Sequence, residues 1–442
     1  MTALRGAPAT AGLPGAPAHA ESALREAGID PDRLSIQELG RPAGPVLAIP
    51  WPWVLRLALG GVLWSIAALA DAALPAFVTA GLTLVSGLLL LQVACDALVT
   101  AAERLAARKH WDHYVAGTVA EILATLPEFA VIAFLVTVSP LTAFVTALIT
   151  IYNNAIVFSI YSYFLPKDRE GRFLMPEPIT QAGTQILVAG AAIGMIVGLV
   201  MIAFTAADHA KQAFAAHDLI VLGGILLAIF AVYLVKLVRG YAGEEDAVRA
   251  ALALSDAQID ERRDRVYARV HRSSLPLIAG LLTLGILGAL TGGHQISTFA
   301  ATALAELGLN GTLTALILAG SAGMSEYVIL WQAHRRGEYG IALANGFGGI
   351  TQVMFLVLPF TLIAIGIYEL GPGATHPELP LRFALPNILL LLFLFPTFFV
   401  LVELLEEDHT LGILDTAIMT AIFGMLVLLL VTYGAHPANG GG

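Results

Sequence analysis

Two glutamates stand inside apolar segments of this 442-residue chain, and each is followed 26 residues later by a side-chain amide. Glu128 closes the run Ala124-Thr125-Leu126-Pro127-Glu128 and leads to Asn154, while Glu326 closes Ala322-Gly323-Met324-Ser325-Glu326 and leads to Gln352. A carboxylate within a hydrocarbon-length helix is costly to keep there, so each marks a functional site by default. Finding the arrangement twice points to a duplicated fold with one site built from both halves.

The neighbouring residue types fit this reading. Pro127 removes a backbone donor just before Glu128 and frees a carbonyl one turn earlier, an opening that a membrane helix tolerates where it lines a cavity. Thr125 lies three residues before Glu128, on roughly the same face. In the second run Gly323 loosens the matching turn and Ser325 stands in the proline position. Carboxylate, hydroxyl and freed carbonyl are hard oxygen ligands, suited to Ca²⁺, Na⁺ or protons rather than to soft metals. The following segments supply Asn153 and Asn154 in the first half and Asn345, Thr351 and Gln352 in the second, where Gly346, Gly348 and Gly349 permit close helix packing. The amides also suit plain interhelical hydrogen bonding. No lysine or arginine falls at the depth of either glutamate, which argues against a buried ion pair. Glu121, two turns before Glu128, is an auxiliary cation or proton site, or equally a paired or protonated structural acid.

Residues so placed need long apolar elements to carry them. The chain is 57% hydrophobic and 13% charged, with mean hydropathy +0.80, against about 25% charged for an average soluble domain. The composition predicts an all-α polytopic membrane protein embedded in a lipid bilayer. Apolar stretches near 53–70, 74–106, 113–138, 141–164, 180–204, 217–238, 275–308, 311–334, 340–369, 383–403 and 412–433 give about eleven transmembrane helices. The segment 275–308 is read as one long helix despite Gly292-Gly293, because 74–106 is equally long.

With the N-terminus inside, all but Arg56, Lys211 and Arg382 of the 23 Lys and Arg residues fall in cytoplasmic segments, as the positive-inside bias requires. The expected organisation is a disordered cytoplasmic tail (1–50), an extra N-terminal helix (51–72), a first five-helix repeat (73–238), a charged cytoplasmic linker (239–274), a second five-helix repeat (275–433) and a short external tail (434–442). An odd number of spans per repeat makes the second copy enter from the opposite side, an inverted repeat of the kind common in secondary transporters. The expected location is the cell (inner or plasma) membrane, with the C-terminus external.

Other features are bland. Cys95 lies in an apolar run and, as the sole cysteine, allows no intrachain disulfide. Asp96, Glu306 and Asp415 read as structural or near-interface acids, and His110, Asp112 and His113 as a satisfied interfacial cluster. No basic surface suggests nucleic acid. No Walker loop, dinucleotide fingerprint, zinc motif or Ser-His-Asp order occurs. The chain therefore reads as a non-enzyme without cofactor, whose transport is driven by ions.

At its glutamate motifs the chain resembles the calcium/cation antiporter superfamily, whose inverted α-repeats read G-T-S-L-P-E followed by G-N-x-x-G-S-N. Thr125-Leu126-Pro127-Glu128 keeps the S-L-P-E core with Thr for Ser. Ala94 to Val99 and Glu103 to Ala106 are similar to the G-A-D-L-L-V…A-R-R-L helix before it. Asn345 and Gly348 keep two positions of the second motif, and Gly348 to Val353, ending at Pro359, is similar to the G-S-A-T-Q-I…P of Ca²⁺/H⁺ exchangers. Leu123-Ala124 replaces G-T, Ser325 replaces the second proline, and Tyr152-Asn153-Asn154 stands where glycine, serine and asparagine are the family's pattern. Gly117 to Glu121 also matches G-N-A-T-E, which would make Glu121 the ligand; only Glu128 gives the spacing shared by both halves.

The resemblance implies an antiporter exporting Ca²⁺ or a similar cation in exchange for H⁺ by alternating access, with Glu128 and Glu326 facing each other at mid-membrane as the metal-binding and proton-binding pair. It implies Thr125, Asn153, Asn154, Ser325, Asn345, Thr351 and Gln352 as companions. Na⁺/Ca²⁺ or Na⁺/H⁺ exchange is the alternative within the class. A cation channel or a non-transporting scaffold is the alternative outside it.

Overall fold

Apolar runs bounded by prolines, glycines and short polar caps fold into a bundle of helices. The computed structural model describes residues 51–70, 74–109, 119, 122–167, 171–175, 183–206, 213–252, 274–336, 339–383, 385–406 and 409–434. The tail 1–50, the cluster His110, Asp112 and His113, Glu121, linker residues 253–273 and the end 435–442 lie outside the described residues.

In chain order the helices are α1 (Trp51–Ala70), α2 (Ala76–Lys109), α3 (Leu126–Val138), α4 (Pro140–Tyr161), α5 (Thr184–Ala206), α6 (Ala216–Leu252), α7 (Leu275–Ala305), α8 (Gly311–Ala322), α9 (Met324–Arg336), α10 (Tyr339–Gln352), α11 (Leu358–Leu370), α12 (Leu385–Glu406) and α13 (Ile413–Gly434). A π-helical turn, Val353–Val357, joins α10 to α11. Two short strands, β1 (Phe173–Leu174) and β2 (Thr410–Leu411), pair antiparallel and tie the α4–α5 connection to the α12–α13 connection.

Among the described residues nine helices are long and apolar enough to cross a membrane. The two further spans expected from the sequence are present as broken helices. One is Ile122–Val138, interrupted at Thr125, and the other is α8 followed by α9, interrupted at Gly323. Local chemistry sets the starts: the Ser139 oxygen accepts from the Thr142 N–H at 3.1 Å ahead of Pro140, and the Asn310 Oδ1 accepts from the Leu313 N–H at 2.8 Å ahead of α8.

The helix expected over 340–369 is present, with a π-helical turn directly after Gln352; Pro359 cannot donate back to the preceding turn. Helix α6 continues past 239 to Leu252. Good helix formers (Ala247, Ala250, Ala251) favour the extension. By contrast 275–305 is unbroken at Gly292-Gly293, as expected. Gly292 serves packing instead: a Cβ there would lie 3.1 Å from the Gly87 carbonyl oxygen of α2.

The helix pairings exchange into themselves when the halves are swapped. α2 lies along α7 and α5 along α12; α4 meets α8 and α13, while α11 meets α3 and α6. α1 packs on α2 alone among the larger contacts, fastened by an Arg56 Nη2–Asp96 Oδ2 bridge of 2.7 Å. Asp96 is thus structural. Asp415 caps α13 by accepting from the Gly412 N–H at 2.8 Å, and Glu306 ends α7 exposed. Cys95 is buried and forms no disulfide among the described residues.

Candidate functional site

Each glutamate sits in the first turn of a helix that resumes after a break. Pro127 opens α3, and the Thr125 carbonyl accepts from the Glu128 and Phe129 N–H groups at 3.0 and 3.2 Å. Met324 opens α9, with the Gly323 carbonyl accepting from the Tyr327 N–H at 3.1 Å. Helix N-termini carry partial positive charge, so a first-turn carboxylate is favoured electrostatically as well as locally exposed to a break. Glu128 is only 4% exposed, and its Oε2 has no hydrogen-bond partner among the described residues. Glu326 is half-buried. Glu128 lines one small space with Ser321, Ala322 and Met324, the residues leading to Glu326.

The amides of α4 bridge the halves. Asn154 Nδ2 donates to Glu326 Oε2 at 2.7 Å, and Tyr327 Oη donates to Asn154 Oδ1 at 3.2 Å. Asn153 Nδ2 donates both to Tyr327 Oη and to the Ala319 carbonyl, the latter at 3.4 Å. Two carboxylates, two amides and a phenol therefore converge where α3, α4, α8 and α9 meet.

Glycines admit this approach. A Cβ on Gly349 of α10 would stand 2.5 Å from Glu326 Oε2 and 3.1 Å from Asn154 Nδ2. A Cβ on Gly323 would stand 2.6 Å from Tyr327 Cζ and 3.1 Å from Asn154 Oδ1. Both positions need glycine because side-chain atoms of the cluster fill the space a Cβ would take, not because of backbone conformation.

The remaining expected ligands are placed differently. The hydroxyl of Thr125 donates to the Ile122 carbonyl at 3.0 Å, and that of Thr351 to the Gly348 carbonyl at 2.9 Å, so both are engaged by their own helices. Asn345 and Gln352 fall one turn before and one turn after Gly349, on its face of α10, without side-chain hydrogen bonds to other described residues. The side chain of Ser325 and all of Glu121 lie outside the described residues. Tyr327 is the participant that sequence reasoning missed. The available signal was a tyrosine directly after a membrane glutamate, since a buried phenol needs a polar partner.

Among the described residues no cluster of three or more His, Cys, Asp or Glu occurs. A cation held here would take two carboxylates and complete its shell with neutral oxygens, as hard cations do. Protonation of the same carboxylates would make the cluster neutral.

Residues 277–432 match the family model described as sodium/calcium exchanger protein. Comparison with curated proteins gives no match. Among solved structures, the H⁺/Ca²⁺ exchanger CAX is similar at TM-score 0.57 and 12% identity, covering 86% of this chain and 89% of that one. Native YfkE is similar at TM-score 0.58 and 12% identity, covering 86% and 98%. The selenium-substituted Ca²⁺/H⁺ antiporter YfkE gives 0.56 and 12%, covering 85% and 99%. The chain shares the fold of these proteins over most of its length.

Proposed function

We propose that this chain is a divergent member of the calcium/cation antiporter superfamily and a secondary active antiporter that moves Ca²⁺ or a similar cation out of the cell in exchange for entering H⁺. The observation that carries the reading is that Glu128 and the Asn154-bonded Glu326, from opposite halves, stand at breaks of apolar helices that border one small space. With both carboxylates charged, the site binds a divalent cation. With protons aboard it is neutral and crosses the apolar barrier without a metal. One site that takes either cargo, exposed alternately to the two sides, is sufficient for exchange.

Protons are favoured over Na⁺ as the counter-ion by the hydroxyls. Thr125, Ser325 and Thr351 are few hydroxyls to supply separate Na⁺ positions beside the carboxylates. The distribution of basic residues supports a cytoplasmic N-terminus.

The test is flux in proteoliposomes. Labelled Ca²⁺ uptake driven by an imposed pH gradient is expected for the wild type and lost in Glu128→Gln and Glu326→Gln. Uptake at the wild-type rate in both variants overturns the reading, and uptake that follows a Na⁺ gradient but ignores pH replaces H⁺ by Na⁺.

A further inference from the structure

Glu128 faces a small cavity, and the residues around it are not those of the glutamate motifs alone. The cavity is lined by Gln92 and two leucines of α2, by Pro127 and Glu128, and by Ser321 and Met324 at the α8–α9 break. Three oxygen-bearing side chains line one space. The first is Glu128 Oε2, buried and without a partner. The second is the amide of Gln92, half-buried and without a hydrogen bond to another described residue. The third is the hydroxyl of Ser321, whose proton is committed to the Ile317 carbonyl at 2.8 Å, which leaves its lone pairs available.

A buried carboxyl oxygen and a membrane amide left unpartnered side by side are costly, and a shared occupant removes both costs. A cation or its hydration water held in that space has all three side chains as neighbours. A glutamine of α7 shows the contrast: Gln295 is buried, and its Oε1 lies 3.5 Å from the Ser86 hydroxyl of α2. Glu326 is likewise occupied by Asn154. On the Glu128 side, Gln92 brings an amide from α2, outside the two broken helices.

We propose that Gln92 and Ser321 form an outer subsite that takes a divalent cation as it sheds water and passes it to Glu128, before Glu326 and the α4 amides close on it. Neutral oxygens suit this step: they replace hydration without adding charge that would trap the ion. The inference rests on the antiport reading and adds an order to it, with the Glu128 side loaded first.

The experiment is Ca²⁺-dependence of proton-driven uptake in vesicles for Gln92→Leu, the near-isosteric Gln92→Met, Gln92→Glu and Ser321→Ala, each checked for a monodisperse detergent-solubilised protein. Gln92→Leu and Gln92→Met are expected to raise the KM for Ca²⁺ roughly five- to tenfold, the loss of one oxygen contact, far more than they lower the maximal rate. Gln92→Glu is expected to lower the KM, and Ser321→Ala to raise it further when combined with Gln92→Met. An unchanged KM in both apolar variants, or a fall in maximal rate alone, overturns the subsite; if Glu128→Gln is dead in the same vesicles, the antiport reading survives that result. Full exchange by Glu128→Gln is the separate outcome that removes the reading itself.

Discussion

Asn154 Nδ2 donates to Glu326 Oε2 at 2.7 Å, although 172 residues separate them and the motif glutamate of its own half is Glu128. The bond joins the first half to the second at the point where both spans break. A hydrogen bond to a charged group contributes about 1.5–3 kcal/mol. Asn154→Leu is therefore expected to weaken apparent Ca²⁺ affinity by roughly tenfold or more, measured by Ca²⁺-dependence of uptake. Asn154→Gln, whose amide is one methylene longer, is expected to recover part of it.

Gly349→Ala places a methyl 2.5 Å from Glu326 Oε2. The carboxylate must move, so exchange is expected to fall severely while the helix, gaining a better helix former, keeps or raises its thermal stability. Gly346→Ala is the control. Its nearest atom is the flexible end of Leu330 at 3.1 Å, and its uptake is expected to stay near wild type. Equal uptake in the two variants would contradict the placement of Glu326 against α10.

Tyr327→Phe keeps the ring but removes the hydroxyl that accepts from Asn153 and donates to Asn154. Two amides then lose a partner, at about 1–3 kcal/mol for a buried group left unsatisfied. A lower melting temperature in detergent and weaker Ca²⁺ binding are expected together. A variant as stable as wild type would show that the phenol is dispensable to the cluster.

Competition between H⁺ and the cation for the same carboxylates fixes the sign of the pH dependence. Raising the pH on the loading side removes the competitor, so apparent Ca²⁺ affinity rises while the rate at saturating Ca²⁺ changes less. Initial-rate measurements across a pH series at several Ca²⁺ concentrations check this. An apparent affinity indifferent to pH points to separate sites.

Asp96→Asn breaks the bridge between α1 and α2 without touching the glutamates. It is expected to loosen α1, seen as faster proteolysis at the α1–α2 turn, while the Ca²⁺ affinity of exchange is retained. A large change in that affinity would give Asp96 a role in transport that its position beside Arg56 does not suggest.

The long apolar runs made the spans legible, because nothing but a helix satisfies backbone polar groups in hydrocarbon. The helix breaks were legible for the same kind of reason, since Pro127 and Gly323 are local signals. The partnership across the site was not. Equal spacing marks Glu128–Asn154 and Glu326–Gln352 as related positions. In a duplicated fold, though, the geometry decides which half's amide meets which carboxylate, and here Asn154 crosses over. Gln352 and Asn345 flank Gly349 rather than bonding to a carboxylate, and Gly349, read from sequence as a packing residue, is the position that lets Glu326 approach. Gln92 carried no signal at all: one amide in a long apolar helix has no meaning until a cavity sets it beside Glu128.

The most direct measurement is proton release on cation binding. Purified protein in weakly buffered detergent solution is titrated with Ca²⁺ while pH and bound Ca²⁺ are followed together. If one site holds either cargo on Glu128 and Glu326, Ca²⁺ binding releases protons in the wild type, and both binding and release vanish in the Glu128→Gln/Glu326→Gln protein. Ca²⁺ binding that releases no protons, or release that survives in the double variant, would contradict a shared carboxylate site.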